Sequence, residues 1–96
     1  IANNESQIRS SVTSNYQALI QARSDYQQAQ AELELQQRKT DTAALQLSIG
    51  QLSQLEYQAE EYALENCKTT VQLKEMALLQ SLETYRDSVN GLAAAS

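Results

Sequence analysis

The sequence predicts an all-α fold, a long antiparallel two-helix coiled-coil hairpin, and three observations support this. The 96-residue chain has no proline and only two glycines, which leaves few turns for a sheet protein. Aromatic residues make up 5%, all of them tyrosine, so a compact core is hard to build. Apolar residues recur with helical periodicity on both sides of Gly50. We expect a single hairpin over residues 1–96, a piece of a larger protein, with helices at about 4–49 and 53–90 and a turn at 50–52.

The first predicted helix carries apolar or small side chains about every 3.5 residues, the repeat of a left-handed coiled coil. Asn4 and Gln7 are placed to act as an N-cap and its partner at the third helical position. Gly50 is placed to end the helix, because glycine tolerates the left-handed backbone of a C-cap. The stripe consists of Ile8, Val12, Tyr16, Leu19, Ala22, Tyr26, Ala29, Leu33, Gln37, Thr40, Ala44 and Leu47.

The second predicted helix has a similar stripe, with a period of about 3.6 residues. Ser53 and Glu56 form a capping box at its start, and Leu52 and Tyr57 are placed as a hydrophobic staple. Asn90-Gly91 is expected to end it. The stripe consists of Leu52, Leu55, Ala59, Ala63, Cys67, Val71, Lys74, Leu78, Leu82, Tyr85, Val89 and Leu92.

A register follows from the short turn, which forces the two helices to run antiparallel. If the turn centres near residues 50–52, facing residues have numbers that sum to about 101–102. The three tyrosines in the stripes, Tyr16, Tyr26 and Tyr85, are then expected to fill the space between the helices. The facing sets are Tyr16 with Tyr85, Tyr26 with Met76, Leu33 with Cys67, Leu47 with Leu55, and Arg38 and Lys39 with Glu60, Glu61 and Glu65.

Further apolar residues lie outside these stripes, and a two-helix pair leaves them in water. A second apolar flank on each helix is typical of a helix with neighbours on both sides. We therefore expect the chain to associate with itself. The residues concerned are Leu35, Leu45, Ile49, Leu64, Leu73, Met76 and Leu79.

The composition argues against several classes of function. The net charge of −5 disfavours an electrostatic contact with nucleic acid, and no apolar run reaches the roughly 20 residues of a membrane span. Histidine is absent, which removes the commonest general base and metal ligand. Cys67 lies on the second stripe and is expected to be a buried structural thiol, because no histidine is present to activate it. We expect no catalytic residue, metal site or cofactor.

The predicted turn resembles the hairpin tips of the TolC-like outer-membrane efflux and secretion channels. Ile49-Gly50-Gln51 is similar to the hydrophobic-Gly-x tip of that family, Ser53 to its Ser/Thr cap, and Leu55-Glu56 to the Leu-acid pair that follows. The segments 12–22 and 78–89 also resemble the beginning and end of the family's helix pair.

This resemblance implies a non-enzymatic hairpin in the periplasmic tunnel wall of a trimeric outer-membrane channel for efflux or type I secretion. It also implies that the tip docks a periplasmic adaptor protein while an inner-membrane partner supplies the energy, and that no cofactor is needed. The family's gating network is not carried over, because Leu47 and Leu52 stand at the corresponding positions. The tip residues are Ile49, Gly50, Gln51, Leu52 and Ser53.

Two alternatives remain open from the sequence. One is the coiled-coil hairpin of the periplasmic adaptor itself, whose Arg…Leu…Ser tip pattern is loosely matched by Arg38, Leu45 and Ser53 with wider spacing. The other is a purely structural coiled coil, in which Gly50 does no more than end a helix.

Overall fold

The computed structural model contains two helices joined by a turn at residues 49–53, and it describes residues 2–95, with side chains for residues 5–94. Helix α1 spans Ala2–Ser48 (47 residues) and helix α2 spans Gln54–Ala95 (42 residues). No strand occurs in this described part. The predicted all-α hairpin is confirmed. Its residues fall into two compact units, unit 1 with Ile1–Tyr26 and Lys74–Ser96, and unit 2 with Gln27–Leu73.

Two predicted helix ends are wrong. Helix α1 already begins at Ala2, so Asn4 is not its N-cap; the side chain of Asn4 lies outside the described side chains. Helix α2 continues through Gly91 to Ala95, and Gly91 has no positive φ. A glycine inside a helix costs only about 1 kcal/mol relative to alanine, and the residues after Gly91 are mostly alanines, which favour the helix.

On α1, the buried and half-buried side chains other than Asp25 and Ala44 follow a heptad of alternating four- and three-residue steps. The predicted repeat of 3.5 residues is therefore confirmed. Three of its members are corrected by one residue, because Asn15, Gln36 and Ala43 occupy the seam where we expected Tyr16, Gln37 and Ala44. We label the two seam positions a (Val12, Leu19, Tyr26, Leu33, Thr40, Leu47) and d (Ile8, Asn15, Ala22, Ala29, Gln36, Ala43), all buried or half-buried.

Helix α2 also follows a heptad, which differs from the predicted stripe near the turn. Leu64, expected on an outer flank, is 8% exposed, whereas Leu55, expected to face Leu47, is 76% exposed. The prediction was wrong here because a period of 3.6 drifts away from the true repeat of 3.5 over several turns. The seam positions are a (Tyr57, Leu64, Val71, Leu78, Tyr85, Leu92) and d (Glu60, Cys67, Lys74, Ser81, Ser88); of these only Lys74 is exposed.

In unit 1, the two helices meet through a tyrosine pair. The rings of Tyr16 and Tyr85 lie with centroids 5.7 Å apart and planes inclined by 51°, a favourable tilted geometry. This confirms the predicted pairing, although Tyr16 stays half exposed at the edge of the seam. The predicted pairing of Tyr26 with Met76 is wrong, since the Met76 side chain is exposed.

In unit 2, a polar cluster joins the helices. The Gln36 amide donates to the Glu60 carboxylate (2.6 Å) and lies 3.3 Å from the Glu60 backbone carbonyl. The buried Thr40 hydroxyl lies 2.9 Å from the carbonyl of Gln36 and 3.3 Å from that of Glu60. Thr40 and Glu60 are thus level with each other, so residues of the two helices whose numbers sum to 100 lie at the same height in this unit.

This register places small or polar side chains level with larger ones. Ala29 is level with Val71, and Ala43 with Tyr57; both alanines are buried. Leu33 is level with Cys67, the predicted facing pair, and both are half-buried. Cys67, which we expected to be buried, is thus only half-buried.

Candidate functional site

The turn between the helices is a Schellman motif. The Gly50 amide donates to the Leu47 carbonyl (3.1 Å), and the Gln51 amide donates to the Gln46 carbonyl (2.8 Å). This pairing requires a left-handed residue at the C′ position, and Gly50 has φ = 77° there. The predicted role of Gly50 as the residue that ends α1 is confirmed.

Ser53 caps the start of α2. Its hydroxyl accepts a hydrogen bond from the Glu56 backbone amide (3.1 Å) and donates one to the Glu56 carboxylate (2.9 Å). The side chain therefore satisfies an amide that has no partner within the helix. The predicted capping pair of Ser53 and Glu56 is present, with the Glu56 carboxylate on the serine hydroxyl.

Large apolar side chains surround this turn in exposed positions. Leu45 in the last turn of α1 is 70% exposed, and Ile49, the first residue after α1, is 66% exposed. Leu55, the second residue of α2, is 76% exposed. Leu52 is half-buried. We define the tip as residues 45–55. The sequence identifies Ile49 as an apolar residue outside the seam, but it does not identify Leu55, whose place on the outer face follows only from the rotation of α2 about its own axis.

No side chain crowds the space around Gly50. A Cβ atom added to this residue would meet no atom within 4 Å, so the outer surface of the turn is open. The backbone conformation is the obstacle to other residues, because L-amino acids rarely adopt this φ. Gly50 therefore presents bare backbone between the exposed side chains of Ile49 and Gln51.

A groove of about 530 Å³ lies beside the turn in unit 2. Leu52 lines it, as do Arg38 and Lys39 of α1 and Glu56 and Glu60 of α2. We expected these basic residues to face Glu60, Glu61 and Glu65, but no ion pair joins the two sets among the described residues. The carboxylates of Glu60 and Glu56 bind Gln36 and Ser53 instead, and the Glu65 carboxylate pairs with Lys68 on its own helix (3.5 Å).

The residues of the alternative adaptor pattern do not converge on one surface. Arg38 lines the groove, Leu45 is exposed, and the Ser53 hydroxyl is engaged in the cap. A serine occupied in this way contributes to the turn itself. The structure thus gives Ser53 a local role that needs no partner.

Other kinds of chemistry have no visible basis in the described residues. Among them, no group of three or more cysteine, aspartate or glutamate side chains is arranged to hold a metal ion. Within the same range, neither helix contains a segment apolar enough to cross a membrane. The tip and its groove are therefore the features on which a functional argument can be built.

The comparisons with known proteins add no relative: no protein family, no curated protein and no solved structure matches this chain.

Proposed function

We propose that this chain is a non-enzymatic wall hairpin of a TolC-like outer-membrane efflux or type I secretion channel. In this proposal the hairpin lies in the periplasm, associates with further hairpins in a trimeric channel, and docks an adaptor protein with its tip. Substrate passes through the tunnel without chemical change, and an inner-membrane partner supplies the energy.

The observation that carries the proposal is the tip. A protein whose turn only reverses the chain gains nothing from exposed leucine and isoleucine at that turn, because exposed apolar clusters carry a risk of aggregation. Leu45, Ile49 and Leu55 are nevertheless all exposed around a glycine with open space above it. A surface with apolar side chains around accessible backbone suits the packing of another helical tip against it.

The wall role is supported by the apolar side chains that the hairpin leaves in water. Of the seven flanking residues expected from the sequence, all but Leu64 are exposed. In a tunnel wall each helix has neighbours on both sides, which would cover such flanks. A single hairpin buries few side chains by itself, and two of those that it buries are alanines.

Substitution of Gly50 tests the docking role. In the channel that contains this hairpin, Gly50→Trp should abolish export and leave trimer formation nearly intact, because the bulky side chain would occupy the open surface of the turn. Gly50→Ala is the matched control, since it has the same backbone strain without the bulk and should keep most of the export. Ser53→Ala, which affects only the cap, should also keep it.

Export and trimer assembly are measured side by side at equal protein levels. Export that survives Gly50→Trp would remove the docking function and favour a purely structural coiled coil. Loss of export in Gly50→Ala as well would point to turn strain as the cause, and would also contradict docking through this surface.

A further inference from the structure

The two lateral sides of unit 2 carry unpaired charges of opposite sign. In each heptad, positions b and e face one side of the hairpin and positions c and g face the other. Lys39, at position g, belongs to the c/g side, and Glu61, at position e, belongs to the b/e side. Both side chains are exposed and neither forms an ion pair among the described residues. Their numbers sum to 100, so they lie at the same height.

A second pair repeats this arrangement with the signs reversed. Glu32, at position g, lies on the c/g side, and Lys68, at position e, lies level with it on the b/e side. Both are exposed, and their contacts are confined to their own helices, a 3.5 Å bond to Gln28 and a 3.5 Å bond to Glu65. The b/e side also holds Glu34, Asp41 and Glu65, which are at positions b and exposed. At the level of Lys39 the charges of this side are therefore all acidic, whereas at the level of Glu32 they have both signs.

We propose that a second copy of this chain packs against the first with its b/e side on the c/g side, in the same orientation and at the same height. Lys39 then meets Glu61 of the neighbour, and Glu32 meets Lys68 of the neighbour. The contact is head-to-tail, so that each copy keeps one free side for a further copy. This contact specifies how neighbouring wall hairpins are arranged. It rests on the proposed function, because a hairpin in a tunnel wall requires lateral neighbours.

The charges disfavour one displacement of the neighbour by a heptad. A shift in that direction brings Glu32 level with Glu61 and close to Asp41, and like charges repel. A shift in the opposite direction brings Lys39 level with Lys68, but Glu34 and Glu65 lie near that level and offset the repulsion. Exposed ion pairs add little affinity. Their role here is to bias the alignment, while apolar contacts hold the copies together.

The two sides of unit 1, taken by itself, are complementary in shape. Its b/e side holds the large apolar residues Ile20, Leu79 and Val89, which are exposed. Its c/g side has a groove of about 250 Å³ lined partly by Ala18 and Ala77. Bulky side chains on one side and a groove between small residues on the other are complementary in a head-to-tail contact.

Within unit 1, the charges are compatible with a b/e side packed on a c/g side. Arg86 on the b/e side lies almost level with Asp87 on the c/g side, and both are exposed. Asp25 on the c/g side neither favours nor disfavours the contact. Arg23 and Glu75, which have opposite charges, both lie near its level on the b/e side.

Charge exchange tests the contact in the 96-residue chain itself. Lys39→Glu and Glu61→Lys, each alone, should weaken self-association roughly fivefold, because an attraction in every contact becomes a repulsion. The double variant Lys39→Glu/Glu61→Lys restores the complementary pair and should recover most of the affinity. The matched control is Lys39→Glu/Glu83→Lys, with the same net charge of −5 but a new lysine on the outer face, and it should remain weak.

Sedimentation equilibrium gives the association constants, and circular dichroism verifies that each variant remains helical. Equal association of the two double variants, or no effect of Glu61→Lys, would overturn this contact and leave the wall function standing if the natural chain still associates. A natural chain that stays monomeric at millimolar concentration would remove the wall function as well.

Discussion

The Gln36 amide donates a 2.6 Å hydrogen bond to the Glu60 carboxylate, which joins the two helices across the seam of unit 2. Position 36 is a seam position at which a coiled coil usually holds an apolar residue. The polar pair, together with Thr40, fixes which residues face each other, because every other register would leave these groups without partners in a half-buried place. The pair also takes the carboxylate that we had expected to bind Arg38 or Lys39.

Gln36→Ala should therefore lower the free energy of unfolding by about 1–2 kcal/mol, since it removes bonds to a charged group and leaves Thr40 with one partner fewer. Gln37→Ala is the control, because Gln37 is exposed and its side chain, among the described residues, binds Asp41 on its own helix (3.1 Å). Its effect should stay within about 0.5 kcal/mol. Urea denaturation followed by circular dichroism measures the free energy of unfolding of both variants. An equal loss of stability in the two would contradict a register role for Gln36.

The two glycines should respond to alanine in opposite directions. Gly50→Ala should lower stability by about 1 kcal/mol because its φ of 77° is strained for alanine. Gly91→Ala should raise stability by about 0.5 kcal/mol, since Gly91 lies inside α2 without positive φ. An added Cβ meets nothing within 4 Å at either site, so backbone conformation alone separates them. Thermal unfolding midpoints that move in the same direction would contradict this explanation.

Removal of the cap at Ser53 should be measurable on its own. Ser53→Ala should cost about 1 kcal/mol because the Glu56 amide loses its acceptor. Ser53→Thr keeps a hydroxyl and should retain most of the stability. Ser14→Ala, at an exposed position within α1, should be neutral or slightly stabilising because alanine is the better helix former. If chemical denaturation gives the same free energy of unfolding for Ser53→Ala and Ser14→Ala, the cap does not contribute to stability.

The small residues of the seam should not tolerate larger ones. Ala29 is 4% exposed and level with Val71, so Ala29→Leu should destabilise the hairpin by about 1–3 kcal/mol through overpacking. Ala31→Leu adds the same side chain at an exposed position of the same helix and should change stability by less than about 0.5 kcal/mol. Differential scanning calorimetry distinguishes the two, and a stable Ala29→Leu variant would mean that the seam contains unfilled space.

The sequence by itself determined the features that depend on neighbouring residues. The helices follow from composition and periodicity, the end of α1 follows from Gly50, and the start of α2 follows from Ser53 and Glu56. Each of these involves hydrogen bonds or backbone preferences within about five residues of the chain. The exposed flanks were also predictable, because a pair of helices can cover only one stripe on each.

The tertiary structure alone decided which of two adjacent residues enters the seam. At 15 or 16, 36 or 37, and 43 or 44, a repeat of 3.5 residues allows either choice, and the rotation of each helix against its partner selects one. The same rotation buries Leu64, exposes Leu55 at the tip, and directs Glu60 to Gln36. Local sequence carries no information on that rotation, because it is a property of both helices packed together and of the side chains that fill the space between them.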